Sequence, residues 1–300
     1  MGAKSKSEDD FSDTFSDDIT RENTDDWGKE KNRKRESGYD EEFLGNDYIV
    51  ELPKLSNSMV EDAARTKEGN YVLDYMHFSI AMSRSRGLAF YTAVNIDGNQ
   101  LKRVKRSDKW EYDNRIDREY QYGQELYSRN DLDRGHLVRR NDPNWGSLED
   151  AKKANDDTFH FTNCSPQHKN LNQKTWLNLE DYILNNTRTH GLKVSVFTGP
   201  VFRTDDMVYR DKYKIPAEFW KVAVMVKNDG KLSATAYLQT QKNMIDNLEF
   251  AFGEYETYQV PIELIENITG LDFNDLRKYD PVANLEVSGL LISDEKDIRL

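Results

Sequence analysis

Two long runs of β-branched and aromatic residues, separated by a turn, constrain the fold of this chain more than any other feature. FWKVAVMV and LSATAYLQT flank Asn228-Asp229-Gly230, and a turn of this composition between two such runs is typical of a β-hairpin. A third run, Leu88–Ile96, is closed by Asp97-Gly98 and is also predicted to be a strand. The chain is therefore expected to contain long strands, two of them antiparallel neighbours.

Other segments predict a mixture of strands and helices. DTFHFT (157–162) and VSVFTGP (194–200) have the composition of strands. Helical spacing of apolar residues predicts a helix over about 172–188, and 242–256 and 261–270 are also predicted to be helical, the last with Gly270 as its C-cap. Since these elements do not alternate in a regular βαβ order, the predicted fold class is α+β.

The first 47 residues differ in composition from the rest of the chain. They hold 15 Asp and Glu against 8 Lys and Arg and few apolar residues, too few to offset the entropy lost on ordering. Residues 1–47 are therefore predicted to be a disordered or conditionally ordered acidic arm, either a solvated tail or a docking arm. Residues 48–282 are predicted to form the domain, followed by a C-terminal tail, 283–300.

Charge and composition exclude some functions. The net charge of −12 argues against a protein that coats nucleic acid through bulk electrostatics, although the acidic arm carries more than half of it and a basic cleft on the body stays compatible with it. No apolar run is long enough to span a bilayer, so no membrane association is expected. Cys164, the only cysteine in the sequence, has no internal disulfide partner, and no leader is visible, which favours a cytoplasmic location.

The most informative local pattern is Asp133-Arg134-Gly135-His136. A lone histidine is more often structural than catalytic, but this one is followed by a polar cluster that begins at Asn163 and includes Asn172 and Glu180. On the predicted helix, Asn172 and Glu180 are eight residues apart and share one stripe. The amide oxygen of Asn172 suits a hydrated Mg²⁺ ion, whereas helix capping by Asn172 and an ordinary exposed Glu180 are the alternative.

A histidine, an arginine and a hydrated cation together match the needs of phosphodiester hydrolysis. The reaction requires a base for water, positive charge on the transition state and help for the leaving oxygen. His136, Arg134 and Mg²⁺ on Asn172 would supply these three. The imidazole is expected to titrate near its ordinary pKa of about 6.5 and so to be a competent base at neutral pH.

These residues resemble the DNA/RNA non-specific endonucleases of the ββα-metal superfamily. The resemblance rests on DRGH at 133–136, NCSPQ at 163–167, LNQ at 171–173, and Trp176 with Leu179-Glu180. It covers about residues 71–279. It implies a central antiparallel sheet with flanking helices and a ββα-metal finger, in which His136 lies in the first half and Asn172 on the helix.

The resemblance also implies a role for each site residue. It makes His136 the general base, Asn172 the protein ligand of Mg²⁺, with Mn²⁺ as an alternative ion, and Glu180 the residue that orients water around the metal. Arg134 is expected to contact phosphate and Asn163 to support the base. Arg86 occupies the place of a further phosphate-contacting arginine in a looser alignment.

Two features leave alternatives open. Arg139 and Arg140 stand where better-known members have small residues, and they either track the substrate backbone or are surface charges. Four aromatic residues lie among the basic residues of 101–129, where packing in the core or a hairpin is favoured over stacking on bases: Trp110, Tyr112, Tyr120 and Tyr127.

The predicted function is Mg²⁺-dependent, sequence-non-specific cleavage of DNA and also RNA, with 5′-phosphate products. The alternatives are a binding module that grips nucleic acid or a partner without cutting, and a phosphodiesterase for a smaller diester. Because an unrestrained nuclease would damage its own cell, its activity is expected to be restrained. The restraint is an inhibitor, a requirement for an activating partner, or the acidic arm. A homodimer is compatible with the sequence.

Overall fold

The computed structural model describes residues 38–168, 187, 189, 191–227, 229–241, 256–284 and 290–291, and every structural statement below concerns these residues. Fourteen strands are found in this part of the chain. In chain order they are β1 (Lys54–Leu55), β2 (Val72–Tyr75), β3 (Phe78–Ser83), β4 (Leu88–Asp97), β5 (Leu132–His136), β6 (Cys164–His168), β7 (Lys193–Val201), β8 (Met207–Tyr209), β9 (Tyr213–Ile215), β10 (Glu218–Val226), β11 (Leu232–Thr240), β12 (Glu256–Val260), β13 (Leu271–Asp272) and β14 (Leu290–Leu291).

The described helices are short and lie between the strands. The α-helices are α1 (Asn57–Asp62), α2 (Gln124–Tyr127), α3 (Leu148–Asp157) and α4 (Ile262–Thr269), and the 3₁₀ helices are Arg118–Tyr120, Phe161–Asn163 and Asn274–Tyr279. None of the α-helices has the length and apolar composition needed to cross a membrane.

An eight-stranded sheet in the order β14-β12-β11-β10-β7-β4-β3-β2 forms the centre of the fold. Every neighbouring pair in it is antiparallel. All ten residues of β4 are buried, because apolar clusters cover both faces of the sheet: Val94 and Ile96 belong to one cluster, Tyr91 and Ala93 to the other. Burial on both faces explains why this strand is a continuous apolar run rather than an alternating one. The prediction of an α+β fold with a central antiparallel sheet is confirmed.

Several predicted elements are found where the sequence placed them. The predicted strand Leu88–Ile96 is β4, and 194–200 lies within β7. The predicted hairpin is β10 and β11, which pair from Glu218 with Thr240 to Val226 with Leu232. The helix α4 ends at Gly270, whose φ of 74° is the left-handed conformation that glycine adopts without strain.

One predicted strand is wrong. DTFHFT (157–162) contains the end of α3 and the start of a 3₁₀ helix, and the strand begins only at Cys164. The hydroxyl of Thr158 donates to the carbonyl of Asn155, so local hydrogen bonds favour a helix end over an extended chain. The helix α3, whose N-cap Ser147 accepts a hydrogen bond from the amide of Asp150, was not predicted. The predicted helices over 172–188 and 242–256 lie almost wholly outside the described residues.

The described part of the predicted acidic arm lies against the sheet. The amide of Tyr39 donates to Ser79 Oγ at 2.8 Å, and the amide of Asp40 donates to Asn95 Oδ1 at 2.7 Å. Phe43 is only 6% exposed and packs 5.4 Å from the ring of Trp145. Residues 38–47 therefore pack on the sheet through their aromatic side chains, whereas the predicted boundary at residue 47 had placed them in the acidic arm.

Candidate active site

A two-stranded antiparallel ribbon, β5 with β6, carries the predicted catalytic motif. His136 pairs with Cys164 and Arg134 with Pro166. Since side chains alternate along a strand, Arg134 and His136 face the same side of the ribbon. Gly135, between them, faces the other side, where an added Cβ would meet the buried side chain of Gln167 at 2.0 Å. Glycine is required here because the glutamine packs directly over the backbone.

His136 is held between two aromatic rings. Its ring lies 4.9 Å from that of Trp110 and 5.1 Å from that of Phe159, the second contact edge-to-face. The residue as a whole is partly exposed, but its Nε2 atom is buried and has no hydrogen-bond partner among the described residues. A buried imidazole nitrogen without a partner is costly, and such atoms are often found where a side chain has a catalytic role.

The surroundings of His136 keep its imidazole neutral. Burial, followed by the charges of Arg106, Arg140 and Arg134, lowers its pKa from the ordinary 6.5 to about 3. This differs from the expectation of an ordinary pKa. The neutral form, which is the form that accepts a proton, is therefore fully populated at neutral pH, but a nitrogen with so low a pKa is a weak base.

Asn163 fixes the chain that follows His136. Its Oδ1 accepts from the amide of Val138 at 2.9 Å, and its Nδ2 donates to the carbonyls of Val138 and Thr158 at 2.9 and 3.0 Å. The carbonyl of Asn163 also accepts from the amide of Leu137. The side chain is fully buried, so it acts on the backbone after His136 rather than on a substrate.

Arg134 is partly exposed and oriented by neutral groups. Its guanidinium lies 5.2 Å from the ring of Trp110 and donates from Nη1 to Gln124 Oε1 at 2.6 Å. No carboxylate pairs with it in the described part of the chain. A guanidinium with only neutral partners keeps its charge available for an anion.

An aromatic platform supports both residues. We use this name for Trp110, Tyr112, Phe159 and Phe161. Glu111 bridges in parallel to His160, and the amide of Glu111 donates to the carbonyl of Phe159, so the two segments run side by side. The ring of Phe161 lies 5.8 Å from that of Trp110 and 4.7 Å from that of Tyr112. Contact between these segments was not predicted; the only signal in the sequence is the alternation in Trp-Glu-Tyr and Phe-His-Phe.

The other predicted arginines have different surroundings. Arg140 contributes charge to His136, and its Nη1 donates to the carbonyl of Val104 at 3.1 Å; Arg139 is partly exposed. Arg86 is 8% exposed, pairs with the buried carboxylate of Asp206 and lies 4.3 Å from the ring of Phe202. Its charge is balanced inside the protein, and its predicted phosphate contact stays a prediction.

The model of the DNA/RNA non-specific endonuclease family matches residues 55–280 of this chain. The chain belongs to this family. The ribbon β5–β6, which carries DRGH, and the central sheet both lie within the matched residues. The predicted recognition of the family from its motifs is therefore confirmed.

Several relatives of known name share this similarity. The y4fB protein of Sinorhizobium fredii is 40% identical over 260 residues, which are 79% of this chain and 39% of that protein. Mitochondrial endonuclease G of Bos taurus is 32% identical over 158 residues, 49% of each protein. A nuclease of Nostoc sp. is 26% identical over 222 residues, 73% of this chain and 78% of that one. The chain spans only half or less of the length of the first two relatives.

A solved structure shows the same fold. The crystal structure of an EndoG/EndoGI complex aligns with a TM-score of 0.56 at 22% identity, covering 70% of this chain and 89% of that chain. At this level of identity the likeness concerns the fold alone.

Nucleases of this family use divalent metal ions. Among the described residues, no three histidine, cysteine, aspartate or glutamate side chains are grouped so as to hold a metal ion. The predicted ligand Asn172 and the predicted positioning residue Glu180 lie outside the described residues, so their roles stay predictions. The described residues that fit a metal-assisted hydrolysis are His136, with its unpartnered buried Nε2, and the neighbouring Arg134.

Proposed function

We propose that this chain is a metal-dependent, sequence-non-specific endonuclease that hydrolyses phosphodiester bonds in DNA and RNA and leaves 5′-phosphate ends. The observation that carries the proposal is the buried Nε2 of His136, which has no hydrogen-bond partner in the described structure and lies beside a guanidinium that has no carboxylate partner there. A proton acceptor next to a phosphate-binding group is what hydrolysis of a phosphodiester needs. Membership of a nuclease family supports it.

His136 acts as the general base that takes the proton from the attacking water. Arg134, one of the arginines that lower its pKa, is also a charge that a bound phosphate would neutralise. Substrate binding therefore raises the pKa of His136 and makes it a stronger base at the moment when a phosphate is present. Free protein, in contrast, keeps the imidazole neutral and weakly basic.

Arg134 binds the scissile phosphate and stabilises the charge that develops on it. Trp110 and Gln124 hold the guanidinium in one orientation before substrate arrives, so little ordering is required in the transition state. Asn163 keeps the chain after His136 in place. Arg139 and Arg140 add positive charge along the substrate backbone. Contacts of this kind read phosphate and not bases, which accounts for the lack of sequence specificity.

The proposed metal is Mg²⁺, with Mn²⁺ as an alternative, held by Asn172 and positioned with the help of Glu180. When bound, the ion supplies positive charge that stabilises the leaving oxygen. One amide ligand leaves most of that charge available, because no carboxylate offsets it.

We further propose that the protein acts in the cytoplasm and that its activity is restrained. An inhibitor, a requirement for an activating partner, or the acidic arm would supply the restraint. The matched crystal structure holds EndoG together with EndoGI and concerns the mechanism of EndoG inhibition, and a similar inhibitor is an expected partner of this chain. A homodimer is a further expected assembly. Removal of residues 1–37, which leaves in place the residues that pack on the sheet, tests the arm. Unchanged cleavage would exclude these residues as the restraint.

Cleavage of plasmid DNA and of total RNA, with Mg²⁺ or with EDTA, tests the proposed function. We expect cleavage by the wild type with Mg²⁺ and none with EDTA. His136→Ala is expected to lower kcat by about 10²–10⁴-fold through loss of the base, and Asn172→Ala to abolish metal-dependent cleavage while nucleic-acid binding persists.

The matched control is His160→Gln. The Nδ1 atom of His160 is hydrogen-bonded to the carbonyl of Asp157, and its ring packs on Tyr75, so it lies on the same segment as the platform without facing His136. Near-wild-type cleavage is expected. If the wild type binds nucleic acid but never cuts it with any divalent ion, the binding-module alternative is correct instead.

A further inference from the structure

A second arginine, Arg118, lies against the aromatic platform at Tyr112 and was not singled out from the sequence. The guanidinium of Arg118 lies 4.3 Å from the centroid of the Tyr112 ring, and its Nη2 donates to the Tyr112 hydroxyl at 3.3 Å. Arg118 itself is exposed. An exposed arginine that is nevertheless oriented by a ring and a hydrogen bond has lost part of its side-chain freedom in advance.

This arrangement repeats the one at the proposed catalytic arginine. Arg134 lies over Trp110 as Arg118 lies over Tyr112, and both rings pack on Phe161. Trp110 and Tyr112 flank Glu111, which forms a β-bridge with His160, and both rings contact Phe161, so the two side chains point to the same side, about 7 Å apart. The platform therefore presents two guanidinium groups in a row.

The helix α2 connects the two arrangements. Its Gln124 accepts from Arg134, and its Glu125 accepts from the Tyr112 hydroxyl at 3.0 Å. The close approach of Tyr112 to the backbone of Gly123, where an added Cβ would meet the hydroxyl at 1.7 Å, fixes the ring in this position. The two arginines are thus held by one local structure.

The charge of Arg118 is not used for an ion pair within the described residues. Arg115 offers the contrast: it also lies over a ring, that of Tyr75 at 4.6 Å, but Asp113 neutralises it at 2.6 Å. At Arg118 the carboxylate of Glu125 bonds the tyrosine hydroxyl instead of the guanidinium. The guanidinium therefore keeps its charge and its outer face for a ligand.

We propose that Arg118 is a further substrate-binding residue, which contacts the nucleic-acid backbone at a phosphate beyond the scissile one. The inference rests on the proposed function, because it extends the same site along the platform from His136. The ligand is the phosphodiester backbone, since a planar guanidinium with free donors matches phosphate oxygens. Such a contact adds affinity that is independent of base sequence and sensitive to salt.

Binding of a fluorescently labelled oligonucleotide in EDTA, over a series of NaCl concentrations, tests the proposal without cleavage. Arg118→Ala is expected to weaken binding about tenfold and to lower the slope of log K against log salt by about one. Arg118→Lys should keep the salt slope but recover only part of the affinity, because a lysine lacks the planar fork. With Mg²⁺, the KM for cleavage should rise in Arg118→Ala.

Arg65→Ala is the matched control. Arg65 is exposed, lies 5.6 Å from the ring of Tyr71 and has no carboxylate partner among the described residues, but Tyr71 packs on the cluster that contains Phe197 and Trp220, not on the platform. The affinity of Arg65→Ala for the oligonucleotide and its salt slope should match those of the wild type. Thermal unfolding of each variant verifies that the fold is kept.

The two proposals fail in different ways. If the wild type binds and cleaves but Arg118→Ala and Arg118→Lys behave like Arg65→Ala, the inference about Arg118 is overturned and the proposed function stands. If the wild type neither binds nor cleaves nucleic acid, the proposed function fails and the role of Arg118 fails with it.

Discussion

Arg86 and Arg134 were both expected to contact phosphate, and both lie over an aromatic ring, but their partners differ. Arg86 is 8% exposed and pairs with the buried carboxylate of Asp206. Arg134 is partly exposed and donates to the neutral amide oxygen of Gln124. The first guanidinium balances a charge inside the protein, whereas the second keeps its charge for an anion. The charge of the partner, not the ring beneath it, separates the two arginines.

Replacing either arginine by alanine gives the largest expected effects: Arg86→Ala on the free energy of unfolding, and Arg134→Ala on cleavage. Arg86→Ala leaves Asp206 buried without its counter-charge and is expected to lower the free energy of unfolding by about 3–5 kcal/mol. Its cleavage per folded molecule should be nearly unchanged. Urea unfolding and cleavage assays at low temperature measure the two quantities separately. Full stability with lost cleavage would show that Arg86 contacts the substrate after all.

Arg134→Ala is the counterpart. It is expected to reduce kcat/KM by about 10²–10³-fold, because a group that stabilises transition-state charge is lost, while the free energy of unfolding changes little. A variant that unfolds easily but cleaves normally when folded would reverse the assignment of the two arginines.

A smaller effect is expected from giving Arg134 the kind of partner that Arg86 has. Gln124→Glu places a carboxylate at the atom that accepts from Arg134 and should lower kcat/KM about tenfold by neutralising the guanidinium. Gln124→Ala, which removes the acceptor without adding charge, is the control and should cost less. Equal losses in the two variants would mean that orientation, and not charge, is what Gln124 provides.

The smallest expected effect is a shift in pH dependence. Because the pKa of His136 is lowered to about 3 and the neutral imidazole is the active form, the acid limb of kcat/KM should lie below pH 6.5. Arg106→Gln removes one of the three arginine charges, with Arg134 and Arg140 left in place, so the pKa rises and the limb should move upward by less than one pH unit.

The matched measurement is kcat/KM for the wild type and Arg106→Gln from pH 8 down to the lowest pH at which both proteins stay folded, since the limb is expected near the lowered pKa of His136. A wild-type limb at pH 6.5 that does not move in the variant would contradict the effect of the arginines on His136.

Local patterns predicted much of the fold. The run that forms β4, the hairpin around Asp229-Gly230 and the end of α4 at Gly270 were all found from composition and turn residues. The alternation in DTFHFT misled the prediction because the end of α3 and the following 3₁₀ helix compete for the same residues. Local signals of this kind fail where two elements meet.

For the candidate site, the sequence predicted residues within one motif but not the residues that surround them. DRGH is contiguous, so Arg134 and His136 were singled out together, but no strand was predicted over them, and only the structure shows that they share one face of β5. Trp110 and Phe159 come from segments about 26 and 23 residues away in sequence from His136, and nothing local indicates that their rings enclose it. The lowered pKa of His136 depends on that enclosure and on Arg106 and Arg140.

The residues alone were sufficient to predict the family, four strands of the central sheet and the candidate residues of the site, because these depend on motifs and periodicities within short stretches of chain. The three-dimensional fold decided which arginines keep a free charge, how the imidazole is buried and where Arg118 lies relative to His136. Burial and charge pairing arise between segments far apart in sequence, such as Arg86 and Asp206, and only their packing brings them within contact distance.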